Sequence, residues 1–433
     1  MDLREARAGY LVEAEQRVPK GYKQTEVGVI PEDWEVQNLG SIARVIGGGA
    51  FKSQDAMLTG LRWLKIANVG VNEILWNDES FLPEQFAVTF SSFLLKEGDY
   101  VLALTRPILG GVLKIAKIRK EDAPTLLNQR VGKLECVDNN DLEFIYFLFQ
   151  KESNVSAIQQ SMAGTDPPNL STRGLYSILC AFPKNKAEQK AIAEALSDAD
   201  ALIESLKQLI AKKRQIKQGT MQELLTGKKR LPGFSGEWEE CRLIDCLLAN
   251  PDYGINAPGV PSSGDLPVYL RITDIDDDGR FMANNRVAVN HPQALNYILK
   301  ENEIVFARTG ASVGKTYLYD PVDGSIVFAG FLIRARIDCS KISPAFFAAF
   351  TRAGLYWNWV RVISMRSGQP GINGNEYASL ELNLPSLPEQ TAIAAILTDM
   401  DAEITALEEK LAKTRAIKQG MMHNLLTGRI RLI

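Results

Sequence analysis

Arginine, asparagine and glutamine recur on short glycine-bearing stretches of this 433-residue chain. These side chains can read base edges: arginine bridges O6 and N7 of guanine, while asparagine and glutamine match N6 and N7 of adenine. Lysines and hydroxyls more often hold phosphates and set register. In the first half the candidates are Lys65, Arg106, Asn128, Gln129 and Arg130. In the second half they are Arg271, Arg308, Thr309, Ser312 and Lys315, followed by Arg366, Gln369 and Asn373. Any one of them reads equally well as a solvated surface residue. As a set on loops near strand ends, they point to DNA.

Other chemistry is harder to find. The string TGASVGKT (Thr309–Thr316) approaches a phosphate-binding loop, but three residues separate Gly310 from Gly314 where that loop needs four. TDPPN (Thr165–Asn169) approaches a D-P-P-Y amino-methyltransferase loop, with Asn169 in place of the stacking aromatic. IGGGAF (Ile46–Phe51) reads as a turn. The five cysteines, Cys136, Cys180, Cys241, Cys246 and Cys339, contain no CxxC pair, and the two histidines, His291 and His423, have no partner at metal spacing. No catalytic set, cofactor motif or metal cluster is expected, so the chain reads as a non-enzyme.

Composition agrees with a globular protein: 45% hydrophobic, 23% charged, net charge −3. Length predicts two or three domains. No apolar run is long enough to span a membrane, and the charged, amphipathic opening MDLREARAGYLVEAEQR lacks a signal-peptide core, which predicts a cytoplasmic protein.

What would position the candidate loops is a duplicated frame. Glu188–Leu231 slides onto Glu389–Leu432 without gaps, and 25 of 44 positions are identical. Two copies argue for a duplicated unit, not a solenoid. Each copy reads as a long helix with a heptad seam: Ile192, Leu196, Ala199, Ile203, Leu206 and Ile210, then Ile393, Leu397, Met400, Ile404, Leu407 and Leu411. Asn185 with Glu188, and Ser386 with Glu389, have capping-box spacing, and Gly227 and Gly428 stand where C-terminal caps belong. Gly219 and Gly420 interrupt the helix interior where the seam slips, suggesting close helix approach or a kink. The last turns, with Gln218, Gly219, Leu224, Leu225, Gln419, Gly420, Leu425 and Leu426, are therefore candidates for docking a partner protein. Two matched seams predict an antiparallel coiled coil about a pseudo-two-fold axis. Ten basic and six acidic residues fall between Lys186 and Phe234, while the flanking blocks are mildly acidic.

The blocks ahead of the helices are weakly alike. RWLKIANV aligns with VYLRITDI, and LKEGDYVLALTR with LKENEIVFARTG; both pairs read as strands and turns. The resulting expectation is an α+β chain with two mixed, strand-rich domains and two long helices. Its divisions are 1–184, a central helix 185–232, 233–385 and a C-terminal helix 386–433. Similarity between GYKQTEVGVIPEDWEV and TGKKRLPGFSGEWEE makes the organisation nearly circular.

With variable blocks each followed by EQxAIAxxL…D…I…KQGxMxxLLTG, and with PEDWE and RTGASVGK in support, the chain resembles the specificity subunit of type I restriction–modification systems. The resemblance implies that each block is a target recognition domain reading one half of a bipartite, asymmetric sequence in double-stranded DNA. It implies that the helices set the spacer and dock two methyltransferase subunits, which carry S-adenosylmethionine and modify adenine, with motor-nuclease subunits beyond. A departure lies in the first block, where LTRPILGG stands in place of RTGASVGK. The contrasting expectation is a coiled-coil scaffold without DNA recognition.

Overall fold

The computed structural model describes residues 18–432 apart from 163, 165, 263 and 366–368. The opening segment, Thr165 and Arg366 therefore lie outside the described residues. The chain divides into two compact units, Met1–Ser205 with Leu411–Ile433, and Leu206–Lys410. Among the described residues no helix is long and apolar enough to cross a membrane.

In the first unit, the apolar strand Tyr100–Ala103 pairs antiparallel with Ile115–Lys117 and Val131–Cys136, and Ala43–Gly47 extends the sheet. A second sheet holds Leu61–Leu64 parallel to Thr125–Leu127, flanked by Phe81–Leu82 and Leu94–Leu95. The helix Leu142–Phe149 is apolar around its whole circumference because Phe144 to Phe149 are all buried; Asp141 caps it by accepting the Phe144 N–H. Ile192, Ala193 and Leu196 from the first long helix enter this core, as do Leu425 and Leu426 from the second. Burial stabilises by about 2 kcal/mol per leucine.

The second unit repeats the plan. Glu303–Ala307 lies between Leu332–Arg336 and Thr316–Leu318, with Asp252–Tyr253 at the edge. Val268–Leu270 runs parallel to Ile326–Phe328 beside Val287–Val289 and Gly259–Pro261. The buried helix Pro344–Phe350 is capped by Ser343, and Met221, Leu224 and Leu225 join Ile393, Ala394 and Leu397 in the core.

The duplicated phrase forms two helices of 39 residues, Lys186–Leu224 and Leu387–Leu425, each about 58 Å long. The capping boxes are not built as the spacing suggests. Asn185 accepts from the Ala187 N–H, but the buried Glu188 receives the Arg431 guanidinium (2.8 Å to Nη2) and Glu389 receives Arg230 (2.6 Å). The adjacent glutamines clamp each helix to its own unit. Gln189 accepts from the Asp141 N–H and donates to the Pro183 carbonyl; Gln390 accepts from the Ser343 N–H and donates to the Pro385 carbonyl. Gly227 and Gly428 adopt φ near +70° and lie against Trp238 and Trp34, where a side chain would be both strained and crowded.

The seam does not slip at the interior glycines. Burial continues in heptad register through Lys217 and Leu224 in one helix, and through Thr414, Lys418 and Leu425 in the other. A hydrophobic pattern misses this because lysines occupy the seam, each on a carboxylate: Lys217 on Asp401 (2.5 Å) in the second unit, Lys418 on Asp200 (2.6 Å) in the first. Gly219 and Gly420 are exposed, and a Cβ at either would meet no atom within 4 Å, so close helix approach is not their role. The cysteines are also less scattered than they read: the Cys241 and Cys246 thiols lie 3.6 Å apart.

Candidate nucleic-acid interface

Four loops of the first unit meet at one corner. Gly48 passes so close to the Leu127 carbonyl that a Cβ would lie 2.1 Å from its oxygen, which explains the glycine at this position. The Gly49 N–H donates to the Leu127 carbonyl (2.8 Å) and the Gln129 N–H donates back to Gly49 (2.9 Å). Leu104 N–H donates to the Arg130 carbonyl (2.9 Å), Arg106 N–H to the Pro168 carbonyl (2.8 Å), and Leu170 N–H to the Leu104 carbonyl (2.8 Å). The Thr105 hydroxyl donates to Asn169 Oδ1 at 2.6 Å. Pro168, Asn169 and Leu170 thus brace the corner.

This lattice projects Arg106, Gln129 and Arg130 into solvent. Neither arginine forms an ion pair with a described residue. Arg106 has φ +48°, a left-handed conformation that costs a non-glycine residue about 1–2 kcal/mol. Asn128 is committed inward, its Oδ1 accepting from the Arg130 N–H (3.1 Å) and fixing the turn. Lys65 donates to the Ser80 hydroxyl (2.7 Å) and lies over the Trp63 ring.

The second unit builds the same corner with other side chains. A Cβ on Gly254 would lie 2.3 Å from the Phe328 carbonyl oxygen, and the Gly330 N–H donates to Ile255 (2.9 Å). Arg308 N–H donates to the Phe331 carbonyl (3.1 Å), Gly310 N–H to Pro370 (3.1 Å), and Ile372 N–H to Arg308 (2.9 Å). Gly310, at φ +73°, occupies the position of Arg106. The Arg308 guanidinium stands 5.0 Å from the Tyr253 ring centroid, a cation–π contact that leaves its donors available. Gln369 is exposed and Ser312 and Thr309 are half-buried on the same loops.

Three expected residues of this unit are already engaged. Arg271 makes a two-pronged pair with Asp274 (2.7 and 2.9 Å), and Lys315 pairs with Asp277 (2.7 Å), holding that carboxyl below its usual range. Asn373 caps the helix Gly374–Ala378 by accepting from the Glu376 N–H.

Other residues escaped the sequence reading. Phe331 takes the place of Arg130 and is 57% exposed, as unusual for a phenylalanine as the arginine is ordinary. Lys114 corresponds to Lys315: both ammoniums reach a main-chain carbonyl in the loop that follows a strand, of Ile66 and Ile275, and burial lowers the Lys114 pKa. Alignment of LTRPILGGVLK with RTGASVGK at the lysine would have revealed it. Of the docking candidates, Leu224, Leu225, Leu425 and Leu426 fill the cores of their own units and present no surface. Gln218, Gly219, Gln419 and Gly420 remain exposed, beside Ile216 and Ile417, which are also exposed.

Comparison with known proteins places these corners in context. Residues 31–214 and 264–415 match the family described as type I restriction modification DNA specificity domain. Over 217 residues the chain is 38% identical to the type I restriction enzyme MjaVIII specificity subunit of Methanocaldococcus jannaschii, covering 50% of this chain and 51% of that protein. Over 188 residues it is 33% identical to the EcoAI specificity subunit of Escherichia coli, covering 43% and 31% respectively. These matches thus span about half the length of the first relative and under a third of the second. In fold, the chain is similar to the S subunit of a type I restriction–modification system from M. genitalium, with TM-score 0.60, 17% identity, and 90% and 96% of the two chains covered.

Proposed function

The chain belongs to the type I restriction-modification DNA specificity family, and from that premise we propose that it is the non-catalytic, sequence-reading subunit of an adenine methyltransferase/endonuclease complex. Each strand-rich domain, 1–184 and 233–385, reads one half of a bipartite, asymmetric target in double-stranded DNA. The observation that carries this reading is the pair of corners: one backbone lattice built twice, offering Arg106, Gln129 and Arg130 in one unit and Arg308, Ser312 and Gln369 in the other. A shared lattice with unlike side chains is what two unlike half-sites require. Arginine and glutamine supply base-edge donors there, and Thr309 with Lys65, Arg271, Lys315 and Asn373 serves the backbone of the loops that carry them.

The helical segments 185–232 and 386–433 pair as an antiparallel coiled coil related by a pseudo-two-fold axis. Support comes from matched ion pairs: Lys418 with Asp200 and Lys217 with Asp401 stand at the same positions of the repeat. Helix length then fixes the spacer between half-sites. The exposed Gln218, Gly219 and Ile216, repeated as Gln419, Gly420 and Ile417, dock two methyltransferase subunits, with motor-nuclease subunits outside them. Duplicate docking surfaces suit duplicate catalytic subunits in the cytoplasm. The isolated chain, at net charge −3, binds DNA weakly and with strong salt dependence.

The test is co-expression with the methyltransferase subunit and genome-wide mapping of methylated adenine. A two-part motif of fixed spacing, present only with both chains, is the expected result. Stable assembly without new methylation would remove target recognition from the account.

A further inference from the structure

The corner of the first unit carries a projection that base reading does not use. Between Arg106 and Lys114, where the second unit has a short turn at Gly310–Ser312, the chain forms a hairpin pairing Ile108 with Leu113 and Leu109 with Val112. Gly110 and Gly111 have φ of +58° and +81°, the combination that a tight two-residue hairpin turn matching strand twist requires. One face of the hairpin is anchored: Leu113 is fully buried and Ile108 packs on the core. The other face is apolar and bare, with Leu109 63% and Val112 42% exposed.

The surroundings identify what covers it. Arg106 stands at the hairpin's root and the exposed Arg130 borders the same corner through its bond to Leu104. Between the hairpin root and the helix Glu152–Ser161 lies an open cleft of about 870 Å³. Its polar lining is Arg106, Ser156, Gln159 and Gln160, with no carboxylate among the described lining residues. Hydrogen-bond donors and one positive charge, without a competing acid, suit the phosphates of a nucleic-acid strand better than a protein surface. Apolar side chains beside such a strand are the parts that enter between base steps and unstack them.

We propose that the Ile108–Leu113 hairpin is a DNA wedge. Leu109 and Val112 enter a base step next to the half-site whose base edges Arg106 reads, while Gln159 and Gln160 of the cleft hold the adjoining backbone. Sequence preference then extends to a step that no side chain hydrogen-bonds, because flexible pyrimidine–purine steps open at less cost than stiff ones. The inference rests on the specificity-subunit reading.

The experiment uses the assembled complex with its methyltransferase subunits and duplexes of the mapped motif carrying 2-aminopurine at successive positions. The wild-type complex is expected to raise fluorescence at one step and to bend the duplex, read by end-to-end energy transfer. Leu109→Ser with Val112→Ser abolishes both signals and weakens specific binding about tenfold, whereas Leu109→Met with Val112→Ile keeps them. Thermal melting verifies the fold of each variant. Equal fluorescence and bending in the serine variant would overturn the wedge and leave the specificity reading standing. So would a folded serine variant that no longer assembles with the methyltransferase, since the hairpin would then be a protein contact. A wild-type complex that binds no duplex specifically would instead overturn the specificity reading itself, and the wedge with it.

Discussion

The two corners differ where their side chains face outward and agree where their backbones pair. Leu104 and Arg308 make equivalent main-chain bonds, to the Arg130 and Phe331 carbonyls. The following turn holds Arg106 in one unit and Gly310 in the other, both at positive φ. Backbone pairing fixes the loop; the projecting residue is free to vary. The lesson is that such a fold changes what it reads without changing how it is built. The first unit keeps an arginine in a strained conformation where glycine costs nothing, and strain retained at one position argues for use there.

The sharpest way to break the comparison is to disarm one corner at a time. Replacing Arg106 and Arg130 with alanine removes the two side chains proposed to read base edges in the first half-site, at about 1–3 kcal/mol per bidentate contact. Specific binding falls by about a hundredfold or more, and the methylated motif relaxes in one half only. Arg308→Ala relaxes the other half and leaves the first intact. Methylome mapping of the two variants checks this; if both relax the same half, the assignment of one domain to one half-site is wrong.

A second comparison concerns the seam lysines. Asp200 answers Lys418, whereas Asp401 answers Lys217 and also lies near Arg352 (3.5 Å) and Arg280 (3.8 Å). Removing the acid from a partly buried pair leaves a cation uncompensated. The expected loss is about 1 kcal/mol for Asp200→Ala and about 2 kcal/mol for Asp401→Ala, after discounting for solvent screening. Denaturant unfolding of the two variants gives the order; the reverse order would show that the additional arginines are compensated elsewhere.

How much of this was legible depended on whether the signal was periodic or three-dimensional. The helices were readable because Ile192, Leu196, Ile393 and Leu397 keep heptad spacing over many turns. The seam beyond Ile210 was not, since Lys217 and Lys418 look polar until their aspartates are seen across from them. Strands such as Glu303–Ala307 stood out by their apolar run. Side-chain engagement did not: the Arg271–Asp274 pair and the Asn373 cap need only three residues of chain, yet nothing in composition distinguishes them from free donors. The role of Phe331 was hidden for the opposite reason, because an exposed phenylalanine looks like core in a sequence.

Arg106→Gly sharpens the strain argument at smaller scale. Glycine relieves the left-handed backbone but adds freedom to the unfolded chain, so the two effects nearly cancel and stability changes by less than about 1 kcal/mol. DNA binding still falls, because the guanidinium is lost. A glycine variant markedly less stable than wild type would mean that the arginine side chain holds the corner together, and that its strain serves structure.

The smallest expected effect concerns acid. In the second unit Arg334 and Arg336 converge on Asp252, while in the first unit Lys133, at the position of Arg334, pairs with Asp99 at 2.9 Å. Burial alone would raise the Asp252 carboxyl, but hydrogen bonds and charge from Arg334 and then Arg336 outweigh it and hold the pKa below 3.8. A carboxyl depressed on folding contributes stability that is present above its unfolded value and is lost as pH falls through the folded one. Because the side chain is 37% exposed, that contribution is about 0.5 kcal/mol. Wild type and Asp252→Asn should therefore differ in unfolding free energy at pH 5 to 7 by about that amount, with the gap closing below about pH 3.8 as the aspartate protonates. A gap unchanged down to pH 2.5 would assign the effect of the substitution to altered packing around Arg334, with no linkage to the carboxyl's charge.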